Sequence, residues 1–127
     1  MIQVKEVIFI HNDLIEKFGG VKGIRDIKLL ESALSRPFHT FDKKEVYPSP
    51  IEKAAALIES ILINHPFIDG NKRVGYVLMR LILMEHNLDI ESSQEEKYNF
   101  VISIAEGKLR FEEISIWIKD RIKNNLR

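Results

Sequence analysis

Residues 49–84 read SPIEKAAALIESILINHPFIDGNKRVGYVLMRLILM, and the parsing of this stretch decides the fold. Ser49-Pro50-Ile51-Glu52 has the form of a capping box with proline at the first helical position. Ala54 to Ile63 then carries Leu57, Ile58, Ile61 and Leu62 on one apolar side, which predicts a buried helix. That helix must stop before Pro66, because the residue preceding a proline is pushed out of the α region. A second apolar helix is expected from near Asn71 to about His86-Asn87. Its most apolar part, Val74 to Met84, is broken by Arg80 and falls short of the ~20 residues that span a bilayer. Two buried helices joined by a short polar segment set the fold class as all-α.

The flanking sequence fits that frame. Val4, Val7, Ile8, His11, Leu14, Ile15 and Phe18 recur at helical spacing and predict an amphipathic helix, ended by Gly19-Gly20. Asp26 is placed to cap a short helix with Ile27, Leu29, Leu30 and Leu34, stopped by Pro37. Pro37 to Pro48, with Phe38, His39, Phe41, Lys43, Lys44 and Tyr47, shows no helical period. It reads as a loop or small hairpin, the one strand pairing expected. Leu88-Asp89-Ile90 reads as a connector. Ser92-Ser93-Gln94-Glu95-Glu96 offers another capping box, for a helix reaching about Glu106 with Gly107 as its C-cap. A last helix from near Phe111 holds Ile114, Ile116, Trp117, Ile118 and Ile122. The expectation is one domain over residues 1–127, a compact bundle of about six helices with a short flap or hairpin.

Composition removes several function classes. The chain has 127 residues, with 19 Lys plus Arg against 19 Asp plus Glu and no cysteine. A balanced charge gives no support to non-specific nucleic-acid or membrane binding. Without cysteine there is no disulfide framework and no thiolate chemistry. The start, Met1-Ile2-Gln3-Val4-Lys5, lacks the apolar run of a signal peptide. A soluble, cytoplasmic protein is expected.

The chemistry concentrates in His65-Pro66-Phe67-Ile68-Asp69-Gly70-Asn71-Lys72-Arg73. A helix N-terminus carries unpaired N–H groups and a partial positive charge, and so binds anions. Gly70 would let the backbone approach a ligand closely. Asn71 would cap the helix or orient a phosphate. Lys72 and Arg73 oppose the macrodipole in the first turn, which makes better sense with an anion in front of them. Asp69 is the natural Mg²⁺ ligand, since Mg²⁺ takes one or two carboxylates plus phosphate oxygens. His65 supplies an imidazole, a group that takes up a proton near neutral pH. Each residue alone would fit an ordinary turn. Together they describe phosphoryl or nucleotidyl transfer. His11, His39 and His86 have no partner at metal-ligand spacing, and no Walker-type loop occurs.

This segment resembles the signature of the Fic/Doc family, His-Pro-Phe-x-Asp/Glu-Gly-Asn-x-Arg. Phe18-Gly19-Gly20, Gly23-Ile24-Arg25-Asp26, Leu30-Glu31-Ser32-Ala33-Leu34 and Ala105-Glu106-Gly107-Lys108 are similar to its Doc (death-on-curing) branch. The resemblance implies an all-α bundle in which His65 activates a target hydroxyl, Asp69 holds Mg²⁺, Gly70 and Asn71 form the anion hole, and Arg73 binds phosphate. It places a flap that pairs with an extended target segment in the region Pro37 to Pro48.

Two positions depart from the commoner AMP-transferring pattern, Gly-Asn-Gly-Arg-x-x-Arg. Position 72 is lysine, and the second arginine is replaced by Tyr76, which loses a bidentate phosphate clamp. The Doc branch shares both features. The resemblance thus implies a kinase-type toxin of a toxin–antitoxin system that transfers the γ-phosphate of ATP to a protein hydroxyl, with Mg²⁺ as cofactor, elongation factor Tu as target and a separate antitoxin as partner. Fic-type AMP transfer and a catalytically silent binding module are the alternatives. Glu106-Gly107 fits the end of the family's self-inhibitory motif, but Ile102 stands where that motif has Ser or Thr, so its helix reads as core. Arg73, Tyr76 and Arg80 share a helix face. Arg80 would then brace the phosphate site from beneath, or else cap a carbonyl or reach solvent.

Overall fold

The computed structural model describes residues 2–124. Met1 and residues 125–127 of the expected domain lie outside the described residues. Six α-helices follow one another: α1 (Val4–Phe18), α2 (Ile27–Ser35), α3 (Pro50–Asn64), α4 (Asn71–Met84), α5 (Gln94–Ala105) and α6 (Phe111–Arg121). Four short strands accompany them: β1 (Thr40–Phe41), β2 (Lys44–Glu45), β3 (Leu88–Ile90) and β4 (Ile122–Asn124). The all-α expectation holds: among the described residues the strands form two small antiparallel pairs, the β1–β2 hairpin and the long-range pair β3–β4.

The central element is α3, which packs against α2, α4, α5 and α6. Its start is fixed locally. The Ser49 hydroxyl accepts from the Glu52 amide at 3.1 Å, with Pro50 in the first turn, a cap that contributes about 1 kcal/mol. Beyond the cap it is buried on nearly every side, from Ala54 to Leu62. α4 lies close against it because Gly75 leaves room, since a Cβ there would stand 2.5 Å from the Leu62 Cδ1. One apolar cluster draws on every helix, including Val7, Leu30, Leu57, Leu78, Phe100 and Ile114.

Charge inside this core is paired. Glu59, only 5% exposed, accepts from Arg36 at 2.8 Å and from Arg110 at 3.0 Å. The Lys53 amine is buried beneath the β1–β2 hairpin, where it donates to the Tyr47 carbonyl and meets the Glu45 carboxylate at 2.9 Å. That anchors the flap, whose tip turns through Asp42 and Lys43 in left-handed conformation.

Two sequence expectations need correction. Leu88-Asp89-Ile90 is a strand, and Ile122 belongs to its partner β4 and not to the last helix; the register is Ile90 with Ile122 and Leu88 with Asn124. The second correction concerns Arg80. It neither braces a phosphate site, nor caps a carbonyl, nor points freely to solvent. Its guanidinium donates two bonds to the Asp89 carboxylate, at 2.9 and 2.8 Å, and so ties β3 to α4. Among the described residues, no helix is long and apolar enough to cross a membrane.

Candidate active site

The segment between α3 and α4 is held in shape by its own side chains. His65 ends α3 in the left-handed region, φ 51° and ψ 56°, a conformation that costs a non-glycine residue about 1 kcal/mol. Asn71, buried at the first turn of α4, offsets that strain. Its Oδ1 accepts from the Phe67 amide at 3.0 Å, while its Nδ2 donates to the Phe67 carbonyl at 2.9 Å and to His65 Nδ1 at 3.1 Å. A flipped amide would set donor against donor at Phe67, so its orientation is fixed. His65 Nδ1 is therefore an acceptor, and the neutral ring carries its hydrogen on Nε2.

Two further elements grip this segment. From α1, the buried His11 ring stacks on Phe67 with centroids 3.9 Å apart, and its Nε2 donates to the Asp69 carbonyl at 2.7 Å. From the α1–α2 loop, Arg25 donates to the His65 carbonyl through Nε and to the Asn64 carbonyl through Nη2, both at 2.6 Å. These are the last carbonyls of α3, which lack helical partners. The Arg25 and Asp26 amides also donate to the Pro66 carbonyl, and Ile68 donates back to Gly23. The loop and the segment thus form a small irregular ladder.

Above the segment lies a cavity of about 410 Å³. One wall is His65, Asp69, Gly70, Asn71, Lys72, Arg73 and Tyr76; the facing wall is Gln94, Lys97, Tyr98, Val101 and Ile102 of α5. The N-terminus of α4 opens onto it. The first helical amide bond there is from Val74 to the Gly70 carbonyl, so the amides of Asn71, Lys72 and Arg73 find no acceptor among the described residues. Arg73 is steadied by the Gly19 carbonyl at 3.2 Å and by the Phe18 ring. Lys72 is exposed and has no carboxylate partner among the described residues.

Asp69 is exposed at the cavity edge, with a backbone N–H on each carboxylate oxygen: Val21 on Oδ2 at 3.1 Å and Gly70 on Oδ1 at 2.8 Å. Those amides, with smaller help from Arg73 and His11, hold its carboxyl below the ordinary aspartate range. Each oxygen keeps a free lone-pair direction, so Asp69 can still ligate a cation. Among the described residues no cluster of three or more His, Cys, Asp or Glu side chains gathers here. A lone charged carboxylate beside an anion cradle fits Mg²⁺, which fills its shell with water and phosphate oxygens.

The structure thus brings all six sequence candidates, His65, Asp69, Gly70, Asn71, Lys72 and Arg73, to one cavity, and gives two of them a structural task as well. The Asn71 side chain bonds Phe67 and His65, and its backbone amide finds no acceptor among the described residues. Gly70 is demanded by its left-handed φ of 75° and by α1, since a Cβ would meet Ile15 at 3.2 Å and His11 at 3.4 Å. Sequence reasoning assigned no role to His11, Arg25 or the α5 wall. The only signal for His11 was an imidazole on the apolar face of α1, and Arg25 lay in a loop matched to the Doc branch without a function.

The model of the Fic/DOC family matches residues 2–83, which include the whole segment and its clamps but not α5. The chain is 44% identical over 59 residues to the Toxin Doc of Mycolicibacterium smegmatis (strain ATCC 700084 / mc(2)155), a match over 46% of this chain and 45% of that protein. The chain therefore spans about half the length of that curated relative. With a family model covering well over half the sequence and the motif folded into one cavity, the chain belongs to the Fic/DOC family.

Proposed function

We propose that this protein is a Doc-like toxin that transfers the γ-phosphate of ATP to a hydroxyl of a cytoplasmic protein, with elongation factor Tu as the target, and that a separate antitoxin protein restrains it. The observation that carries this reading is that His65 and the cationic N-terminus of α4 share one cavity. A relative named Toxin Doc supports the toxin part.

The unpaired amides of α4 and the side chains of Lys72 and Arg73 bind the polyphosphate. Mg²⁺ at Asp69, when bound, supplies charge neutralisation on the phosphate oxygens. The acceptor hydroxyl attacks the γ-phosphorus, a new oxygen–phosphorus bond forms, and the bond to the β-phosphate bridging oxygen breaks to release ADP. The hydroxyl proton passes to His65. To receive it at Nε2, the ring must carry its hydrogen at Nδ1, the position that Asn71 now opposes as a donor. His65 therefore changes tautomer, and Asn71 lets go of Nδ1, as the acceptor docks. Positioning and charge carry most of such a reaction and the base a smaller share.

Lys72 and Tyr76 favour γ-phosphate over AMP transfer. Both residues line the cavity, at positions where the AMP-transferring pattern has a glycine and a second arginine. The test is the intact mass of elongation factor Tu after incubation with the protein and ATP. One added phosphate, absent with His65→Ala, is expected. One added AMP would replace this reading with adenylyl transfer, and ATP binding without any modification would leave a binding module.

A further inference from the structure

Lys97 stands out among the basic side chains of the cavity. It projects from α5, outside the segment of the family match, and is half-buried. No carboxylate partners it among the described residues. Its neighbour Glu96 is committed elsewhere, to Arg121 at 2.8 Å and to the Ser93 cap. The ammonium instead sits 4.8 Å from the centre of the Tyr76 ring, and Tyr76 is only 6% exposed. The buried ring is a fixed platform, and its electron-rich face holds a cation placed over it. Lys97 thereby faces the same cavity as Lys72 and Arg73 from the opposite wall. Three cations and a helix N-terminus meet one lining carboxylate, Asp69, in a chain whose formal net charge is zero. Such an excess is costly without an anion to share it.

We infer that Lys97, seated on Tyr76, is a phosphate-binding residue of the α5 wall that takes a non-transferred phosphate of the nucleotide. The polyphosphate is then gripped from two helices, α4 and α5. The remaining α5 surface, Tyr98, Val101 and Ile102, is apolar or aromatic and suits the uncharged part of the ligand. This assignment rests on the nucleotide reading above, and makes Lys97 a determinant of triphosphate and diphosphate binding over nucleoside.

Titration calorimetry with ATP, ADP and adenosine tests it, using the wild-type protein, Lys97→Glu, Lys97→Arg, Tyr76→Phe and Tyr76→Leu. Lys97→Glu should weaken ATP and ADP about tenfold or more and leave adenosine unchanged. Lys97→Arg and Tyr76→Phe should bind ATP as the wild type does, because charge and ring persist. Tyr76→Leu should lose part of the ATP affinity. The assignment is overturned if Lys97→Glu binds ATP as tightly as the wild type, or if it loses adenosine in the same proportion, which would mark a packing role. Wild-type protein that binds no ATP would remove the nucleotide reading and this assignment together. Wild-type phosphate transfer alongside undiminished ATP binding by Lys97→Glu would remove this assignment alone.

Discussion

The two walls of the cavity are built in opposite ways. On the α3–α4 side the side chains that hold the segment are committed, Asn71 to Phe67 and His65, Arg25 to the end of α3, His11 to Asp69, while Lys72 and the first amides of α4 stay open. On the α5 side, Gln94, Lys97 and Tyr98 make no side-chain hydrogen bond or ion pair among the described residues. The buried residues of α5 are Phe100, Val101 and Ile104, and of these Val101 alone lines the cavity. The family match follows the same division, covering residues 2–83 and stopping before α5. Chemistry that needs a fixed backbone and a fixed phosphate must be over-determined by its surroundings. A wall that only selects the ligand can be set by side chains standing on a helix whose other face does the packing.

Substitutions on the two walls should therefore separate rate and stability from affinity. The largest effect belongs to His65→Ala. Transfer measured in a single turnover should fall about 10²–10⁴-fold, the usual contribution of a general base, with ATP affinity kept. Asn71→Ala comes next. It leaves the Phe67 amide and carbonyl unpaired beneath the segment, which should cost about 3 kcal/mol in urea unfolding. Nitrogen-15 spectra of the imidazole should place the His65 hydrogen on Nε2 in the wild type and show mixed tautomers in the variant. Arg25→Ala should lower kcat about tenfold with KM for ATP unchanged, because His65 loses its backbone restraint while the anion cradle does not. Arg25→Lys, which keeps charge but not the fork, should recover only part. Stability should drop by about 1 kcal/mol, since both bonds lie at an exposed site.

A smaller effect should appear with pH. Asp69 is held below the ordinary aspartate value of 3.8 first by the Val21 amide, and Asp89 below the same value first by Arg80. As pH falls past that value, the unfolded chain takes up protons that the folded chain refuses. The stability from both carboxylates is thus complete above the ordinary value and is lost as pH drops through the lowered folded ones. Urea midpoints should fall below about pH 4, less steeply in Asp69→Asn and in Asp89→Asn. The smallest change is expected on the open wall. Tyr98→Ala should shift the unfolding midpoint by no more than about 0.5 kcal/mol; a loss like that of Asn71→Ala would erase the contrast between the walls.

Much of this was legible before folding. Ser49, Asp26 and Ser93 cap the helices they precede, as their spacing implied, and Pro37 to Pro48 contains the expected hairpin. The β3–β4 pair was not legible, because each strand has only three residues and its partner lies more than thirty positions away. Arg80 was misread for a related reason. Its place on the Arg73 and Tyr76 face was read from helical spacing, but the Asp89 carboxylate that claims it depends on where β3 crosses.

Sequence by itself determined the all-α class, the helix starts at Ser49, Asp26 and Ser93, and the grouping of candidate residues in the segment His65 to Arg73. These follow from apolar period, capping and proline stereochemistry, which act within about one helical turn. Tertiary structure decided which groups those residues touch. His11 reaches Asp69 across 58 positions and Arg25 reaches His65 across 40, and Lys97 settles on Tyr76 from another helix. Such contacts depend on how helices cross and how closely they approach, as at Gly75 against Leu62, and that geometry is a property of the packed core as a whole.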